Sequence, residues 1–142
     1  MNWDNFYIGL ARYVSTKSKD PSTKVGSVIV RPDNTVASVG YNGFAMLDKD
    51  DPELYADRDT KLDHVIHAEI NALVFCREPV KGYTLYSSQI PCKQCAPPLI
   101  QSGIKTFVFP FLPESSSPRW GEGRLWVLKY FTECGVNWKE IS

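Results

Sequence analysis

The spacing of apolar residues near the start of the chain predicts an amphipathic helix. Across residues 3–19, apolar or aromatic side chains recur three and four positions apart, as one face of a helix requires. Ile8 falls off this stripe, and Asp20-Pro21 is expected to end the helix, because the residue before a proline is disfavoured in helical backbone. The stripe consists of Trp3, Phe6, Tyr7, Leu10, Tyr13 and Val14.

Continuous β-branched sequence then predicts two paired strands. Residues 24–31 have the pattern of a buried strand, Pro32-Asp33-Asn34 that of a turn, and residues 35–41 that of a strand pairing back on the first. Residues 42–63 are polar and rich in aspartate. This composition predicts a long loop, and loops of that length are usually functional or mobile.

The second half of the chain alternates helices with strands. Helices are predicted at residues 67–76, 91–103 and 125–134, with Pro91 in the first turn of the second of them. Strands are predicted at residues 83–88, 106–109 and 135–139, whereas residues 110–123, with three serines and three prolines, are expected to be irregular. Alternation after an opening hairpin predicts an α/β fold, a three-layer α/β/α sandwich around a five-stranded mixed sheet.

Composition and charge narrow the class of protein. The chain has 142 residues, 43% of them hydrophobic, which predicts a single globular domain over residues 1–142. Sixteen basic residues balance sixteen acidic ones, so no basic face is expected for long nucleic acid, and the substrate is expected to be small. No apolar run reaches membrane-spanning length, and four cysteines without a charged-then-apolar leader predict a cytoplasmic protein, or one of the host cytoplasm if viral.

Two short motifs carry the candidate chemistry. They are His67-Ala68-Glu69 and Pro91-Cys92-Lys93-Gln94-Cys95. One imidazole and two thiolates can hold Zn²⁺ on three sides and leave the fourth position to water, as in catalytic zinc sites. Glu69 is close enough to bond that water and is expected to carry its protons. The predicted helix starts would place both motifs at positive helix ends, and the combination is typical of zinc nucleobase deaminases.

Other interpretations of the same residues stay open at this point. A Cys-x-x-Cys pair alone can be a redox dithiol or half of a structural zinc site. A closed zinc site needs a fourth ligand, for which Cys76, Cys134 and His64 are the candidates. Glu69 could also serve only as a carboxylate at a helix start.

Segments along most of the chain resemble the deoxycytidylate (dCMP) deaminase family of the cytidine deaminase superfamily. The resemblance implies hydrolysis of dCMP to dUMP and ammonia, which feeds thymidylate synthesis, with zinc held by His67, Cys92 and Cys95 and with Glu69 as proton shuttle. Besides the two motifs, the matching segments are Trp3-Asp4, Ser18 through Gly26, Gly40 through Phe44, Thr84-Leu85-Tyr86 and Ile100 through Lys105.

The resemblance also implies roles in substrate binding. Asn42 would hold the sugar hydroxyl, or else be a turn residue before Gly43. The backbone around Ser88 would read the amino edge of cytosine, or else belong to an ordinary strand. Candidate phosphate donors are Ser22, Lys24 and Arg119, and Trp120 could stack on the pyrimidine or plug the packing.

Regulation and assembly are implied by the resemblance as well. Family members are generally homo-oligomers, often hexamers, and respond to dCTP and dTTP, with Mg²⁺ accompanying the regulatory nucleotide. Candidates for that nucleotide site are Gly40, Tyr41, Gly43 and Phe44. The alternatives are a deaminase that also accepts dCTP, a deaminase of another nucleotide or nucleoside, and a non-catalytic zinc-stabilised nucleotide-binding module.

Overall fold

The computed structural model describes residues 1–49, 51–111 and 118–142, and it describes residues 118–122 by their backbone only. The strands are β1 (Gly26–Val30), β2 (Val36–Tyr41), β3 (Thr84–Ser87), β4 (Thr106–Pro110) and β5 (Asn137–Ile141). The helices are α1 (Trp3–Ser15), α2 (Pro52–Ala56), α3 (Arg58–His64), α4 (Ala68–Phe75), α5 (Ala96–Gln101) and α6 (Pro118–Glu133). None of the helices in the described ranges has the length and apolar character needed to cross a membrane.

The five strands form one mixed sheet in the order β2-β1-β3-β4-β5. Strand β1 pairs antiparallel with both β2 and β3, whereas β3, β4 and β5 run parallel. Alternate residues of the inner strands face opposite layers, so that Val28 packs with α1 and Ile29 packs with the core beneath α4, α5 and α6. This arrangement confirms the predicted three-layer α/β/α sandwich.

Helix α1 turns a different face to the sheet from the one predicted. Its buried residues are Tyr7, Ile8 and Ala11, and Ile8 is only 1% exposed. A Cβ added to Gly26 of β1 would lie 2.0 Å from the Ala11 carbonyl oxygen, so the small pair Ala11 and Gly26 allows the helix backbone to approach the strand. The predicted stripe was wrong in part, because its aromatic members include residues that remain largely exposed, namely Trp3, Phe6 and Tyr13.

The predicted long loop at residues 42–63 contains two short helices. Asp51 caps α2 by accepting a hydrogen bond from the Glu53 N–H at 2.9 Å, and Pro52 occupies the first helical position. Tyr55 of α2 is buried and stacks on Phe44 with the ring centroids 4.1 Å apart. The loop prediction was therefore wrong, because Asp51 acts as a helix cap and not only as a solvated polar residue.

Three predicted helix boundaries also need correction. Helix α1 ends at Ser15 and so stops short of Asp20-Pro21. Helix α5 begins at Ala96 with Cys95 as its N-cap, so Pro91 and Cys92 lie in the preceding turn. Helix α6 already begins at Pro118, inside the segment predicted to be irregular.

Asp20 connects the segment after α1 to helix α3. Its side chain is buried and accepts hydrogen bonds from the Ser22 and Thr23 N–H groups at 2.9 and 3.1 Å. The Lys61 ammonium of α3 lies 2.8 and 3.0 Å from the two carboxylate oxygens. Burial raises the pKa of Asp20, but these donors together outweigh burial and leave that pKa below its ordinary value.

The observed face of α1 predicts which substitutions weaken the fold. Ile8→Ala should lower the free energy of unfolding by about 2–5 kcal/mol, because it leaves a cavity in the core. Phe6→Ala should lower it by less than about 1.5 kcal/mol, because the half-exposed ring loses mainly aromatic edge contacts. Urea unfolding of both variants measures the difference, and a larger loss for Phe6→Ala would contradict the observed face.

The buried ion pair predicts a pH-dependent stability difference. Asp20→Asn leaves the Lys61 ammonium without its counter-charge and should lower the free energy of unfolding at pH 7 by about 3 kcal/mol. Because the folded-state pKa of Asp20 is lowered, the difference from the wild type should persist down to about pH 4 and shrink as pH falls further. Urea midpoints between pH 7 and pH 3 test this, and a difference that grows with acid would contradict it.

Candidate metal centre and active site

Three side chains from separate parts of the chain meet at one point. His67 is the N-cap of α4, Cys95 is the N-cap of α5, and Cys92 lies in the turn between β3 and α5. The His67 Nδ1 atom lies 3.1 Å from the Cys95 Sγ atom and 3.3 Å from the Cys92 Sγ atom. The strand β3 and the helix starts thus bring together the three residues that the sequence predicts as metal ligands.

The geometry of this cluster fits a zinc ion. Tetrahedral zinc with bonds of about 2.3 Å to sulfur and 2.0 Å to nitrogen places these ligand atoms roughly 3.5 Å apart. Among the described residues, no fourth His, Cys, Asp or Glu joins the cluster. The candidates for a closed site are elsewhere: His64 contacts Asp48, Cys76 contacts the Glu78 carbonyl, and Cys134 is exposed. The described part therefore favours an open, three-ligand site over a closed one.

The two cysteines differ in their affinity for protons. Hydrogen bonds from the Cys95 thiol and then from His67 lower the pKa of the Cys92 thiol to about 4, although burial opposes them. The Cys92 thiolate raises the pKa of Cys95 in turn, and burial adds to that rise. The bond to Cys92 also raises the pKa of His67. A divalent cation would replace the protons shared among these groups, which is how metal binding becomes coupled to pH.

Glu69 is buried beside the cluster, in the first turn of α4. It is 3% exposed, and its Oε1 atom accepts a hydrogen bond of 2.9 Å from the Ser87 hydroxyl. Ser87 in turn accepts a hydrogen bond of 3.1 Å from the Ser27 hydroxyl. Burial raises the pKa of Glu69, and the hydrogen bond from Ser87 only partly offsets this rise. The site thus holds a carboxyl group that binds a proton more strongly than an exposed one does, as a proton carrier requires.

A cavity of about 350 Å³ opens onto these groups. Small-molecule sites usually measure about 300–1,000 Å³, so this cavity can take a ligand of modest size. His67, Glu69 and Cys92 line one part of it. Other polar and charged lining residues are Asp20, Thr23, Asn42, Arg58, Lys61 and Gln89.

Asn42 lines the cavity, but its side chain is already bonded to the backbone. Its Oδ1 atom accepts a hydrogen bond from the Val25 N–H, and its Nδ2 atom donates to the Thr23 carbonyl, both at 2.8 Å. The side chain therefore fixes the wall of the cavity between β2 and the entrance to β1. Its role in binding a sugar hydroxyl stays a prediction.

Of the other predicted substrate residues, the three whose side chains the structure describes, Ser22, Lys24 and Ser88, do not line this cavity. The Ser22 hydroxyl bonds to Asp20 and Lys61, and the Lys24 ammonium donates to the Ser18 carbonyl. The Ser88 hydroxyl accepts a hydrogen bond of 3.0 Å from the Gly26 N–H. The side chains of Arg119 and Trp120 lie outside the described residues.

The two cations that do line the cavity were missed by the sequence analysis. Arg58 and Lys61 lie on α3, in the segment predicted to be a loop. Their spacing of three residues places them on the same side of a helix. The Asp-Pro start signal at residues 51–52 could have indicated helical structure in this segment.

A second cavity, of about 590 Å³, is lined by the four residues assigned to a regulatory nucleotide, Gly40, Tyr41, Gly43 and Phe44. Its remaining lining residues in the described part are mostly apolar, with Met46, Val74 and Phe75 among them, and include no lysine, arginine or carboxylate. The described lining thus offers no counter-charge for a triphosphate and no ligand for Mg²⁺. The regulatory site stays a prediction.

Comparison with known proteins agrees with this geometry. Residues 1–110 match the family described as the cytidine and deoxycytidylate deaminase zinc-binding region. An uncharacterized deaminase of Aliivibrio fischeri is 35% identical over 136 residues, which cover 94% of this chain and 90% of the relative. A probable deoxycytidylate deaminase of Caenorhabditis elegans is 42% identical over 112 residues, which cover 72% of this chain but only 54% of the relative.

A solved structure shares the fold over nearly the whole chain. The dCMP deaminase of cyanophage S-TIM5, in complex with dCMP and dUMP, superposes with a TM-score of 0.72 at 22% identity, over 96% of this chain and 95% of that one. The protein therefore has the cytidine deaminase fold, and by its match over residues 1–110 it belongs to the cytidine and deoxycytidylate deaminase family.

Proposed function

We propose that the protein is a zinc-dependent hydrolase that converts dCMP to dUMP and ammonia. The observation that carries this proposal is one cavity lined by two members of the three-ligand cluster, His67 and Cys92, and by the buried Glu69. Relatives named as deoxycytidylate deaminases support the choice of dCMP. Since this chain spans 54% and 65% of the length of two of them, the substrate is a proposal drawn from their names and from the site together.

Each residue of the centre has a defined task in this proposal. His67, Cys92 and Cys95 would hold the zinc ion, which would provide a nucleophilic water near neutral pH. Glu69 takes one proton from the attacking water and passes it to the ring nitrogen beside the attacked carbon. It then takes the second proton, from the hydroxyl group that the water has added to that carbon, and gives it to the departing amine. Ser87 keeps the Glu69 carboxyl in place through its hydrogen bond.

The buried carboxyl group argues against a non-catalytic zinc-stabilised binding module. Burying a carboxyl group carries a free-energy cost, and a site that only binds a nucleotide has no use for such a group beside an open metal position. A single cytidine deaminase-like domain, a cytoplasmic location, a homo-oligomeric assembly and a response to dCTP or dTTP are part of the same proposal. The assembly and the nucleotide response rest on the family resemblance, the single domain on the length and composition of the chain, and the location on its cysteine content.

Replacing the proposed proton shuttle should separate turnover from metal binding. Glu69→Gln should retain one zinc per chain and lower ammonia release from dCMP by about 10²–10⁴-fold, because the amide cannot exchange the proton. Steady-state ammonia release and metal analysis of the same preparation measure the two quantities.

The matched control is Glu53→Gln, which removes an exposed carboxylate from α2, outside the described cavities. This variant should match the wild type in zinc content and in turnover. Near-normal turnover of Glu69→Gln would exclude the shuttle role, and loss of zinc from that variant would mean that the carboxyl group supports the metal.

A further inference from the structure

Lys61 and Arg58, which both line the cavity, differ in whether a neighbouring carboxylate neutralises their charge. The Lys61 ammonium lies 2.8 and 3.0 Å from the two Asp20 carboxylate oxygens and 2.9 Å from the Ser22 hydroxyl. Its side chain is only 18% exposed. An ammonium has three N–H donors, and three acceptor atoms already surround this one. Asp20 therefore neutralises Lys61, and the pair adds little net charge to the cavity.

Arg58 lines the same cavity, and no described residue neutralises its charge. It is the first residue of α3, it is exposed, and it forms no hydrogen bond or ion pair with any residue that the structure describes. Because Lys61 pairs with Asp20, that carboxylate does not compete for the guanidinium. Among the described lining residues, Arg58 thus carries the one positive charge that has no ion-pair partner. The same cavity is lined by His67, Glu69 and Cys92.

We propose that Arg58 binds the 5′-phosphate of the substrate and sets the preference for a nucleoside monophosphate over the free nucleoside and the triphosphate. This inference rests on the proposed deaminase function and names the residue that selects its substrate. A guanidinium presents a planar fork of N–H donors that can bind two phosphate oxygens at once. The β and γ phosphates of a triphosphate find no second free cation among the described lining residues.

The matching experiment compares Arg58→Gln, Arg58→Lys and Arg77→Gln with the wild type. Arg77 is an exposed arginine outside both described cavities and serves as the control. Steady-state ammonia release is measured from dCMP, deoxycytidine and dCTP. The deoxycytidine rate reports on the fold and the metal centre without involving the phosphate.

Arg58→Gln should raise KM for dCMP by about 10–100-fold, the loss expected when a charged hydrogen-bonded contact is removed. The values of kcat for dCMP and of kcat/KM for deoxycytidine should stay near those of the wild type. For Arg58→Lys, KM for dCMP should lie between the values of the wild type and Arg58→Gln, because lysine keeps the charge but lacks the planar fork of donors. Arg77→Gln should match the wild type.

An unchanged ratio of kcat/KM for dCMP and deoxycytidine in Arg58→Gln would overturn the proposal. The proposal would also be overturned if Arg119→Gln lost the preference for dCMP over deoxycytidine while Arg58→Gln kept it. Equal turnover of dCTP and dCMP by the wild type would overturn it as well. If the wild type releases no ammonia from any of the three compounds, the deaminase proposal fails by itself. Calorimetric titration with dUMP and deoxyuridine then still tests Arg58: loss of the affinity difference between them in Arg58→Gln supports the phosphate role, and its retention overturns it.

Discussion

Helix α4 lies so close to strand β2 that a side chain on Gly40 would not fit between them. A Cβ atom there would come within 2.4 Å of the Ala72 nitrogen and 2.5 Å of the Ala68 carbonyl oxygen. The Ser38 hydroxyl, 2.7 Å from the Ala72 carbonyl, adds a hydrogen bond across the same contact. This contact fixes the start of α4, and with it the position of His67 and Glu69. Close packing between α4 and β2 is therefore enough to require glycine at position 40, whether or not Gly40 also belongs to a regulatory site.

The cluster of His67, Cys92 and Cys95 forms where the start of α4 approaches the end of β3. Ser87, the last residue of β3, bonds to Glu69, and the turn with both cysteines follows directly. Strands β3 and β4 run parallel, and ligand sites of open α/β sheets are generally found at the carboxyl ends of such strands. The local chemistry of the site therefore depends on the packing of α4 against β2 and on the sheet order. It does not arise from the two sequence motifs alone.

Much of this could be predicted from the sequence, and the failures have physical causes. The continuous apolar run of β1 and the spacing of His67, Cys92 and Cys95 carry strong local signals, and the structure agrees with both. The face of α1 was predicted wrongly, because the prediction gave most weight to the spacing of large aromatic side chains. The face that packs on the sheet instead includes a small residue, Ala11, which allows the helix to approach closely. Helix α3 was missed since its seven residues are largely polar and stay on the surface. Arg58, which lies on that helix, was missed with it.

The function proposed for this protein requires that His67, Cys92 and Cys95 hold zinc with one coordination position left open beside Glu69. X-ray absorption spectroscopy of the zinc-loaded protein at the zinc K edge reports the number and kind of these ligands. We expect two sulfur neighbours at about 2.3 Å and two nitrogen or oxygen neighbours at about 2.0 Å, one from His67 and one exchangeable. Addition of dUMP should alter the shell of nitrogen and oxygen neighbours and leave the two sulfur neighbours in place. A third sulfur neighbour, or two imidazole signals, would mean a closed structural zinc site with no position for a catalytic water.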